Sequence, residues 1–557
     1  MTETLLLAPF WPLLAGSLAV LFARGRLQDL VFVAAPLLAL VLVWTVPDGN
    51  ETVGWLGMVL KPVSPDATAR LFGTAFAFAA IAGAVFALDQ KSTAERAAVL
   101  LYAAAAQGVV FAGDLLSLFV FWELMAIGST LVIFANGAAR AGTRYALMHA
   151  FGGVLLFAGV AGSIGDGGIA LRPFEADSIA SLLILAGVLV NAGAPPVSAW
   201  VADAYPRASW SGAVFLSAFT TKAAVAVLIR LFPGESMLIP IGLVMAVYGM
   251  VYALIENDIR RLLSYSIVGQ VGFMVVAVGI GTPLALGAAA AHAFVHILYK
   301  SLLMMAAGAV LRATGTARLT ALGGLARAMP ATTLAMILGG LALAALPLTA
   351  GFVSKSAIMQ ALAEDHAATA WFLLTAVSAG SLLYAGLRLP WFAMLRPKPG
   401  PATAWAAPVS MVAAMAIVAA AILAIGFMPS LLTMLVPAIA GVAVLTPDHI
   451  LFQIMLLVGA LICFAMFLTI LAPRAGITVD SDWLWRVAPS LFGRRASAVW
   501  RAARLALLPA SDAARQENRL LARAWVRMTS DAGNWRTGDI ALAATALLGI
   551  VLLIAAL

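Results

Sequence analysis

The chain has 557 residues, of which 63% are hydrophobic and only 10% are charged, and its mean hydropathy is +1.03. A water-soluble protein cannot bury that much apolar surface, because its exterior is rich in polar and charged side chains, so the composition excludes a soluble globular domain. The formal net charge is +8, but the basic residues fall almost entirely in predicted loops and one tail, which argues against a nucleic-acid partner.

Apolar runs that are long enough to cross a membrane as helices recur along the whole chain. The first run follows the acidic MTET and lacks a basic leader, so no cleavable signal is predicted. The stretch 429–447 is apolar but short and bounded by prolines, which indicates a re-entrant or interfacial segment. We predict an all-α polytopic membrane protein with about 16 transmembrane helices, at residues 5–22, 29–46, 67–88, 97–113, 115–135, 143–164, 179–195, 212–232, 238–256, 262–281, 284–311, 331–362, 370–390, 405–428, 450–472 and 540–557.

The basic residues between these spans predict an orientation. Odd-numbered loops hold 15 lysines and arginines, whereas even-numbered loops hold four. Because cytoplasmic loops carry the excess of positive charge, the N-terminus is expected outside and the odd-numbered loops inside a cell's cytoplasmic membrane.

Residues 473–536 form a tail with 11 arginines and no lysine, in which Trp, Leu and Arg alternate at helical spacing. This pattern predicts an amphipathic helix pair on the cytoplasmic surface, with its arginines at the lipid headgroups. The alternative is a strut that holds a partner protein. Residues 537–557 then hold the last membrane helix.

Two of the spans carry helix-breaking residues. The seventh contains Pro195 and Pro196, and the twelfth contains Pro347 and Gly351. Breaks inside a membrane are tolerated only where protein or a wet cavity satisfies the freed backbone groups.

Broken helices five spans apart predict two inverted five-helix repeats with ion sites at the breaks. On this reading 1–96 holds the N-terminal helices. Repeat 1 covers 97–256 (helices 4–8) and reaches into helix 9 at 238–256, where repeat 2 (238–395, helices 9–13) begins. Residues 396–472 add further helices.

Away from the ends of the spans, three basic residues lie inside the predicted membrane segments, and all three are lysines: Lys222, Lys300 and Lys355. The chain has six lysines and 27 arginines, so this choice points to groups that release protons, which a guanidinium does not do. Glu123 is the one carboxylate deep in a predicted span, and an ionisable group there is a functional candidate. The alternative for these groups is a static ion pair or a fixed helix–helix contact.

A stripe of titratable residues occupies the eleventh span, in AHAFVHILYKSLLMM. His292, His296 and Lys300 are spaced four apart, so they share one helix face, and histidine relays protons near neutral pH. A zinc site is the rival, but no Cys, Asp or Glu nearby offers a third ligand and the glutamate of HExxH is absent. His149 is expected to be a packing histidine. No metal site, cofactor or enzymatic nucleophile is therefore predicted.

Several motifs carry a family resemblance that runs from about residue 60 to 400. They are DLLSLFVFWELM, the PP-x-x-x-W-x-x-DAYP stretch at 195–206, FTTKAAVAVLIR, ENDIRRLLSYSIVGQVGF, HAFVHILYKSLLMM and PLTAGFVSKSAI. The chain resembles the antiporter-like, proton-conducting subunits of respiratory complex I, of membrane-bound hydrogenases and of Mrp-type multisubunit Na⁺/H⁺ antiporters, most closely the Mrp D subunit.

The resemblance implies a proton pathway through Glu123, Lys222, His292, His296, Lys300 and Lys355. One position departs from the family, because Asn191 stands where a lysine usually pairs with the fifth-helix glutamate. This puts conduction through the N-terminal half in doubt and suggests Lys222 as a replacement partner for Glu123.

These observations predict a proton-translocating subunit of a monovalent cation/H⁺ antiporter, with sodium as the first candidate and potassium as another, working with other membrane subunits. Two alternatives stay open at this point. One is the proton-conducting arm of a redox-driven or inorganic-carbon-uptake complex, and the other is a non-conducting scaffold. The transported cation, the stoichiometry and the partners do not follow from the sequence.

Overall fold

The computed structural model describes residues 3–49, 52–55, 58–397, 406–476 and 479–483. The predicted sixteenth span and most of the arginine-rich tail lie outside these residues. In the described part the fold is helical apart from one hairpin, in which β1 (Val53–Trp55) pairs antiparallel with β2 (Met58–Leu60).

The helices follow one another with short connections. In chain order they are α1 (Glu3–Leu6), α2 (Phe10–Phe22), α3 (Arg26–Thr45), α4 (Ala67–Phe86), α5 (Thr93–Phe111), α6 (Leu115–Phe134), α7 (Ala139–Gly167), α8 (Ile179–Ala192), α9 (Trp200–Ala204), α10 (Gly212–Leu216), α11 (Thr220–Leu231), α12 (Leu238–Ile255), α13 (Ile259–Ile280), α14 (Pro283–Thr314), α15 (Pro330–Leu343), α16 (Ala350–Glu364), α17 (Ala368–Ser381), α18 (Val409–Phe427), α19 (Ser430–Leu435) and α20 (Pro447–Met466). After α17 the chain continues in π-helical turns over Leu382–Arg388 and Trp391–Leu395.

The helices coincide with the predicted spans. Within the described residues, 12 helical segments are long and apolar enough to cross a membrane, and the shorter apolar helices α2, α8 and α15 fall on three further predicted spans. The chain is therefore an all-helical, multi-pass membrane protein. The predicted interfacial segment at 429–447 holds only α19 and a 3₁₀ turn over Pro437–Ile439.

Acidic and hydroxyl side chains set where several of these helices begin. The carboxylate of Asp114 accepts a hydrogen bond from the backbone N–H of Ser117 at 2.7 Å, and that of Asp258 accepts one from Arg260 at 2.8 Å. Such N-caps satisfy backbone donors that the first helical turn leaves unpaired. Asp114 thereby begins α6 and Asp258 begins α13.

Both predicted helix breaks are present. α8 ends at Ala192, followed by Gly193 in the left-handed conformation, and helix resumes only at Trp200. α15 ends at Leu343 and α16 begins at Ala350. Each break exposes backbone carbonyls that an unbroken helix would satisfy internally.

A third break was not predicted. The sequence predicts one continuous helix over 212–232, because this segment contains no proline or internal glycine. The structure ends α10 at Leu216 and begins α11 at Thr220. At this point the hydroxyl of Ser217 donates to the carbonyl of Val214 at 2.7 Å, a local bond that competes with regular helical pairing.

Burial separates three central segments from the periphery. The membrane-spanning windows of Gly212–Leu231, α13 and α14 are each 94% buried, whereas those of α3 and α20 are 28% and 17% buried. Apolar side chains that face outward on a membrane protein contact lipid or other subunits. The stripe on α14 is therefore enclosed on every side by protein.

Some arginines at or near the ends of the predicted spans are buried. Arg96, Arg260 and Arg388 are at most 4% exposed. Arg260 Nη2 donates to the carbonyls of Ala208 and Ser209, at 2.8 and 2.9 Å. The expectation that every embedded base is lysine is wrong at the ends of the helices, where exposed carbonyls hold a guanidinium in place.

The described beginning of the tail lies against α12 and α13. Tyr248 and Tyr265 donate their hydroxyls to Asp480 Oδ2 at 2.6 and 2.8 Å, and Tyr252 donates to the carbonyl of Val479 at 3.1 Å. The tail thus starts from a docked position on the membrane domain.

Candidate functional site

The three titratable residues of α14 share one buried face, as predicted. His292, His296 and Lys300 are all 0% exposed. His292 Nδ1 lies 2.9 Å from Ser354 Oγ on α16, and its Nε2 lies 3.4 Å from the hydroxyl of Tyr299. The stripe therefore contacts the helix that follows the second break.

His296 is the middle residue of the stripe on α14. Neither of its ring nitrogens has a hydrogen-bond partner among the described residues. Its ring stacks 6.2 Å from that of His292, and Lys222, Lys300 and Lys355 all act on it electrostatically. His296 is thus a fully buried histidine within electrostatic reach of all three embedded lysines.

Lys300 is held by α13. Its ammonium donates to Ser266 Oγ and to the carbonyl of Leu263, the latter at 3.4 Å. Ser266 is one of the polar residues that the sequence places in the neighbouring span. Gln270, one turn further along α13, accepts a hydrogen bond from Tyr299 at 3.3 Å.

Lys355 sits at the second break. Its Nζ donates to the carbonyl of Leu343 at 2.8 Å and to Ser378 Oγ at 3.2 Å, and it lies 4.9 Å from the centre of the Phe273 ring. Leu343 is the last residue of α15, so its carbonyl is one that the break exposes. Pro347 and Gly351 flank this arrangement in the loop and the first turn of α16.

Lys222 repeats this arrangement at the third break. Its Nζ lies 2.5 Å from the carbonyl of Ser217, one residue beyond the end of α10. None of the ion pairs in the described part of the chain involves an embedded lysine. An uncharged lysine keeps two N–H donors, so contacts to carbonyls and hydroxyls survive the loss of its proton.

Glu123 lies apart from the lysines. Its Oε1 is buried against the backbone of Gly153 on α7 and has no hydrogen-bond partner in the described part of the chain. The expected replacement pair with Lys222 is absent there, and so is a static ion pair of Glu123 with another lysine. The reason is positional, since α11 turns Lys222 towards its own break.

The departing residue Asn191 is fully buried next to His149. Neither amide atom of Asn191 and neither ring nitrogen of His149 has a hydrogen bond of ordinary length to a described residue. The His149 ring packs 4.1 Å from Tyr145 and 4.7 Å from Trp200. His149 thus packs against aromatic rings as predicted, while its ring nitrogens have only the Asn191 amide near them and make no hydrogen bond of ordinary length to a described residue.

His149 is also a functional candidate, although the sequence predicts only a packing role for it. It lies one helical turn before Gly153, on whose backbone Glu123 rests, so the two titratable groups lie along the same part of α7. The available signal was the spacing of His149 to the glycine pair at 152–153, which leaves room beside the helix for a buried side chain.

The part of the chain that carries this geometry matches a known family. The sequence profile of the family described as NADH:quinone oxidoreductase/Mrp antiporter, TM matches residues 112–383. These residues include every candidate group described above.

Three curated relatives show how far the likeness extends. The chain is 31% identical over 447 residues to the N subunit of NADH-quinone oxidoreductase from Cereibacter sphaeroides, covering 75% of this chain and 95% of that protein. It is 29% identical over 399 residues to the D subunit of a Na⁺/H⁺ antiporter from Alkalihalophilus pseudofirmus, covering 65% and 81%. It is also 34% identical over 296 residues to an uncharacterized Mycobacterium tuberculosis protein, of which it spans 46%.

A solved structure extends the likeness to the fold. The structure of the Mrp complex from Dietzia sp. contains a chain that superposes with a TM-score of 0.75 at 26% identity. The match covers 99% of this chain and 63% of that chain.

Proposed function

Because the chain belongs to the family of membrane subunits shared by NADH:quinone oxidoreductases and Mrp antiporters, we propose that it carries protons in exchange for a monovalent cation, with sodium as the first candidate. It is an antiporter-like membrane subunit, homologous to subunits of multisubunit complexes. The sodium assignment draws on the relative that is named for Na⁺/H⁺ antiport.

The observation that carries this proposal is the buried stripe of His292, His296 and Lys300, which contacts α16 next to Lys355 through the hydrogen bond between His292 and Ser354. A proton passes along such a line when each group accepts it from one neighbour and gives it to the next. Because the lysines are held by neutral carbonyls and hydroxyls, a change of charge at one lysine acts directly on the next group. No carboxylate partner in the described residues compensates for it.

The route has a defined order in this proposal. Protons pass between Lys222 and His296, then along the stripe to His292, and across the Ser354 contact to Lys355 on α16. Lys300 lies one turn beyond His296 and tunes its proton affinity by charge. Each transfer moves one proton from a donor N–H to an acceptor nitrogen, directly or through an intervening hydroxyl or water.

We also propose that the membrane domain contains two inverted repeats, because two parts of the chain share the same order of structural features. The cap residue Asp114 bridges to Ala170 after α7, and the cap residue Asp258 bridges to Arg318 after α14. A broken helix follows each of these bridges. His149 is the eleventh residue of α7 and His292 the tenth of α14, so the repeat relation supports comparable roles for the two histidines.

We propose that the N-terminus lies outside the cytoplasmic membrane and that the arginine-rich tail at 473–536 lies on its inner surface. This orientation follows from the excess of basic residues in the odd-numbered loops. The tail's arginines then meet lipid headgroups.

The second candidate function is a proton-conducting arm of a redox-driven complex. It is favoured by the identity to the N subunit of NADH-quinone oxidoreductase, whose length the match nearly covers.

The test is proton flux by the purified complex in vesicles that contain a pH-sensitive dye. Addition of Na⁺, K⁺ or Li⁺ starts the reaction, and the Lys355→Ala variant is compared with the unmodified complex. Cation-driven proton flux that Lys355→Ala removes supports antiport. Flux that needs an electron donor and quinone instead supports the redox arm, and flux that Lys355→Ala leaves unchanged contradicts the pathway.

A further inference from the structure

A polar cavity of about 460 Å³ lies where three connections between membrane helices meet. Each connection contributes one arginine to its lining. Arg207 comes from the turn after α9, Arg261 from the first turn of α13 and Arg318 from the segment after α14. All three fall in odd-numbered predicted loops, which the charge distribution places on the cytoplasmic side.

The two carboxylates of the lining are engaged with the start of α13. Asp258 Oδ1 accepts hydrogen bonds from the backbone N–H groups of Arg260 and Arg261, at 2.8 and 3.0 Å. Glu256 Oε1 accepts from the backbone N–H groups of Asn257 and Asp258, at 2.9 and 3.2 Å. Glu256 Oε2 lies 3.2 Å from Arg261 Nε. The carboxylates therefore compensate Arg261 and the exposed amides of the helix start, and not the other two arginines.

Arg207 and Arg318 keep their hydrogen-bond donors for a ligand. Both are exposed, and no ion pair between described residues involves either of them. From the beginning of the tail, Asp482 acts electrostatically on Arg261 and Arg144. A guanidinium presents its N–H donors in a planar fork that matches two oxygens of a phosphate group.

The walls that carry the two arginines are fixed by backbone contacts. Arg318 forms an antiparallel bridge with Asp258, which joins the segment after α14 to the start of α13. On the other wall, the buried Arg260 donates from Nη2 to the carbonyl of Ala208 at 2.8 Å, directly after Arg207. Because both backbones are held in place, binding a ligand between them orders little besides the two side chains.

The position of the cavity favours a lipid as the source of the phosphate. Its lining residues lie at helix ends, the level at which headgroups meet a membrane protein, and basic pockets between helices on the cytoplasmic side bind acidic headgroups. The membrane-spanning window of α12, which leads into the cavity, is only 33% buried. Most of that helix is therefore left uncovered by the described part of the chain and is accessible to lipid.

We propose that this cavity binds the phosphate group of an anionic phospholipid in the cytoplasmic leaflet, held between Arg207 and Arg318. Free phosphate is the other source of the same chemistry. The cavity is separate from the arginines of the tail at 473–536, and it joins connections that follow both broken halves of the membrane domain. The inference does not depend on the proposed proton-carrying function, because binding is measured without transport.

The first experiment measures lipid binding to the purified complex after delipidation in detergent. Phosphatidylglycerol is titrated in, and bound lipid molecules are counted by native mass spectrometry. The test variant combines Arg207→Gln with Arg318→Gln. Its matched control combines Arg24→Gln with Arg140→Gln, which removes the same charge from exposed arginines in odd-numbered loops away from the cavity. Both variants are expected to fold normally, because exposed arginines outside ion pairs contribute little to stability.

The cavity variant is expected to lose one tightly bound lipid per complex, with the affinity of that site falling at least about tenfold, as for loss of charge-assisted hydrogen bonds. The control variant is expected to bind as the unmodified complex does. Arg207→Lys with Arg318→Lys keeps the charge without the planar forks and is expected to lie between the two. Equal binding by the cavity variant and the control overturns the proposal, because binding then follows net charge alone.

The second experiment identifies the source of the phosphate. Inorganic phosphate is added to the unmodified complex that carries phosphatidylglycerol. Displacement of the lipid that the cavity variant lacks shows that the cavity takes the free ion, whereas retention of that lipid shows that it takes the headgroup. Failure of the unmodified complex to bind either phosphatidylglycerol or inorganic phosphate at Arg207 and Arg318 overturns the proposal, whatever the complex transports.

Discussion

The ammonium of Lys355 lies 2.8 Å from the carbonyl of Leu343, the last residue of the helix before the second break. The break therefore supplies the lysine with a neutral acceptor in the middle of the protein. Lys222 has the same relation to Ser217 at the third break. A break in helical hydrogen bonding and an embedded lysine thus form one structural unit, which occurs twice in the described residues.

This relation predicts the effect of Lys355→Arg. Arginine keeps the positive charge and the donors to Leu343, but its guanidinium does not give up its proton. We expect the complex to assemble and cation-driven proton flux to fall at least about tenfold, as for loss of a proton-transfer group. Lys91→Arg, at an exposed lysine between α4 and α5, is the control, and flux in vesicles is the measurement. Normal flux in Lys355→Arg contradicts proton exchange at this residue.

The unpartnered ring of His296 predicts a loss of function without a loss of stability. His296→Met removes an imidazole ring that makes no hydrogen bond to the described residues. The methionine side chain fills a similar volume. The free energy of unfolding is expected to change by less than about 1.5 kcal/mol, as for volume-conserving core substitutions. Proton flux is expected to be abolished.

The melting temperature of the purified complex and dye-detected flux measure these two quantities for His296→Met. Ser264→Ala, which removes a hydroxyl bonded only within α13, is the control and is expected to change neither. Normal proton flux in the His296→Met complex would show that protons pass between the embedded lysines without His296.

The N-terminal half is tested through Glu123 and His149. If His149 exchanges protons with Glu123 beside Asn191, both Glu123→Gln and His149→Phe lower proton flux, each by about tenfold or more. Glu175→Gln, at an exposed acid between α7 and α8, is the control. The measurement is initial flux at equal amounts of assembled complex. Full activity in both variants means that this half serves as a scaffold and that only the stripe on α14 conducts.

The second break depends on a glycine, which predicts a stability effect. A Cβ at Gly351 would collide with the backbone carbonyl of Ala342, whereas one at Gly459 on α20 would meet nothing within 4 Å. Gly351→Ala is expected to lower the free energy of unfolding by about 2 kcal/mol, the usual cost of overpacking, and to reduce flux by moving Lys355.

Gly459→Ala is the matched control for Gly351→Ala and is expected to be neutral or to stabilise the protein by up to about 1 kcal/mol. Thermal melting of the complex measures both variants. Equal melting temperatures for the two would show that the break adjusts to a side chain at Gly351.

Much of the site could be predicted from the sequence, because membrane helices are recognised by the length and hydropathy of their apolar segments. The stripe of His292, His296 and Lys300 follows from helical periodicity, and the prolines and glycines locate two of the three breaks. The third break was missed because Ser217 interrupts the helix through a local hydrogen bond, for which neither proline nor glycine is required. The partners of each lysine were missed because backbone carbonyls have no signature in a sequence.

Length, hydropathy and helical periodicity were enough to show that the chain spans a membrane many times and to identify side chains in it that can hold a proton. These properties belong to single helices, because burial in lipid and a period of about 3.6 residues act within one segment. The folded protein was needed to show that Glu123 forms no ion pair with Lys222 in the described residues, that His292 contacts Ser354 on α16 and that Lys355 binds a carbonyl freed at the second break. Those relations join residues from helices far apart in the chain, and they depend on packing and on carbonyls freed at the breaks.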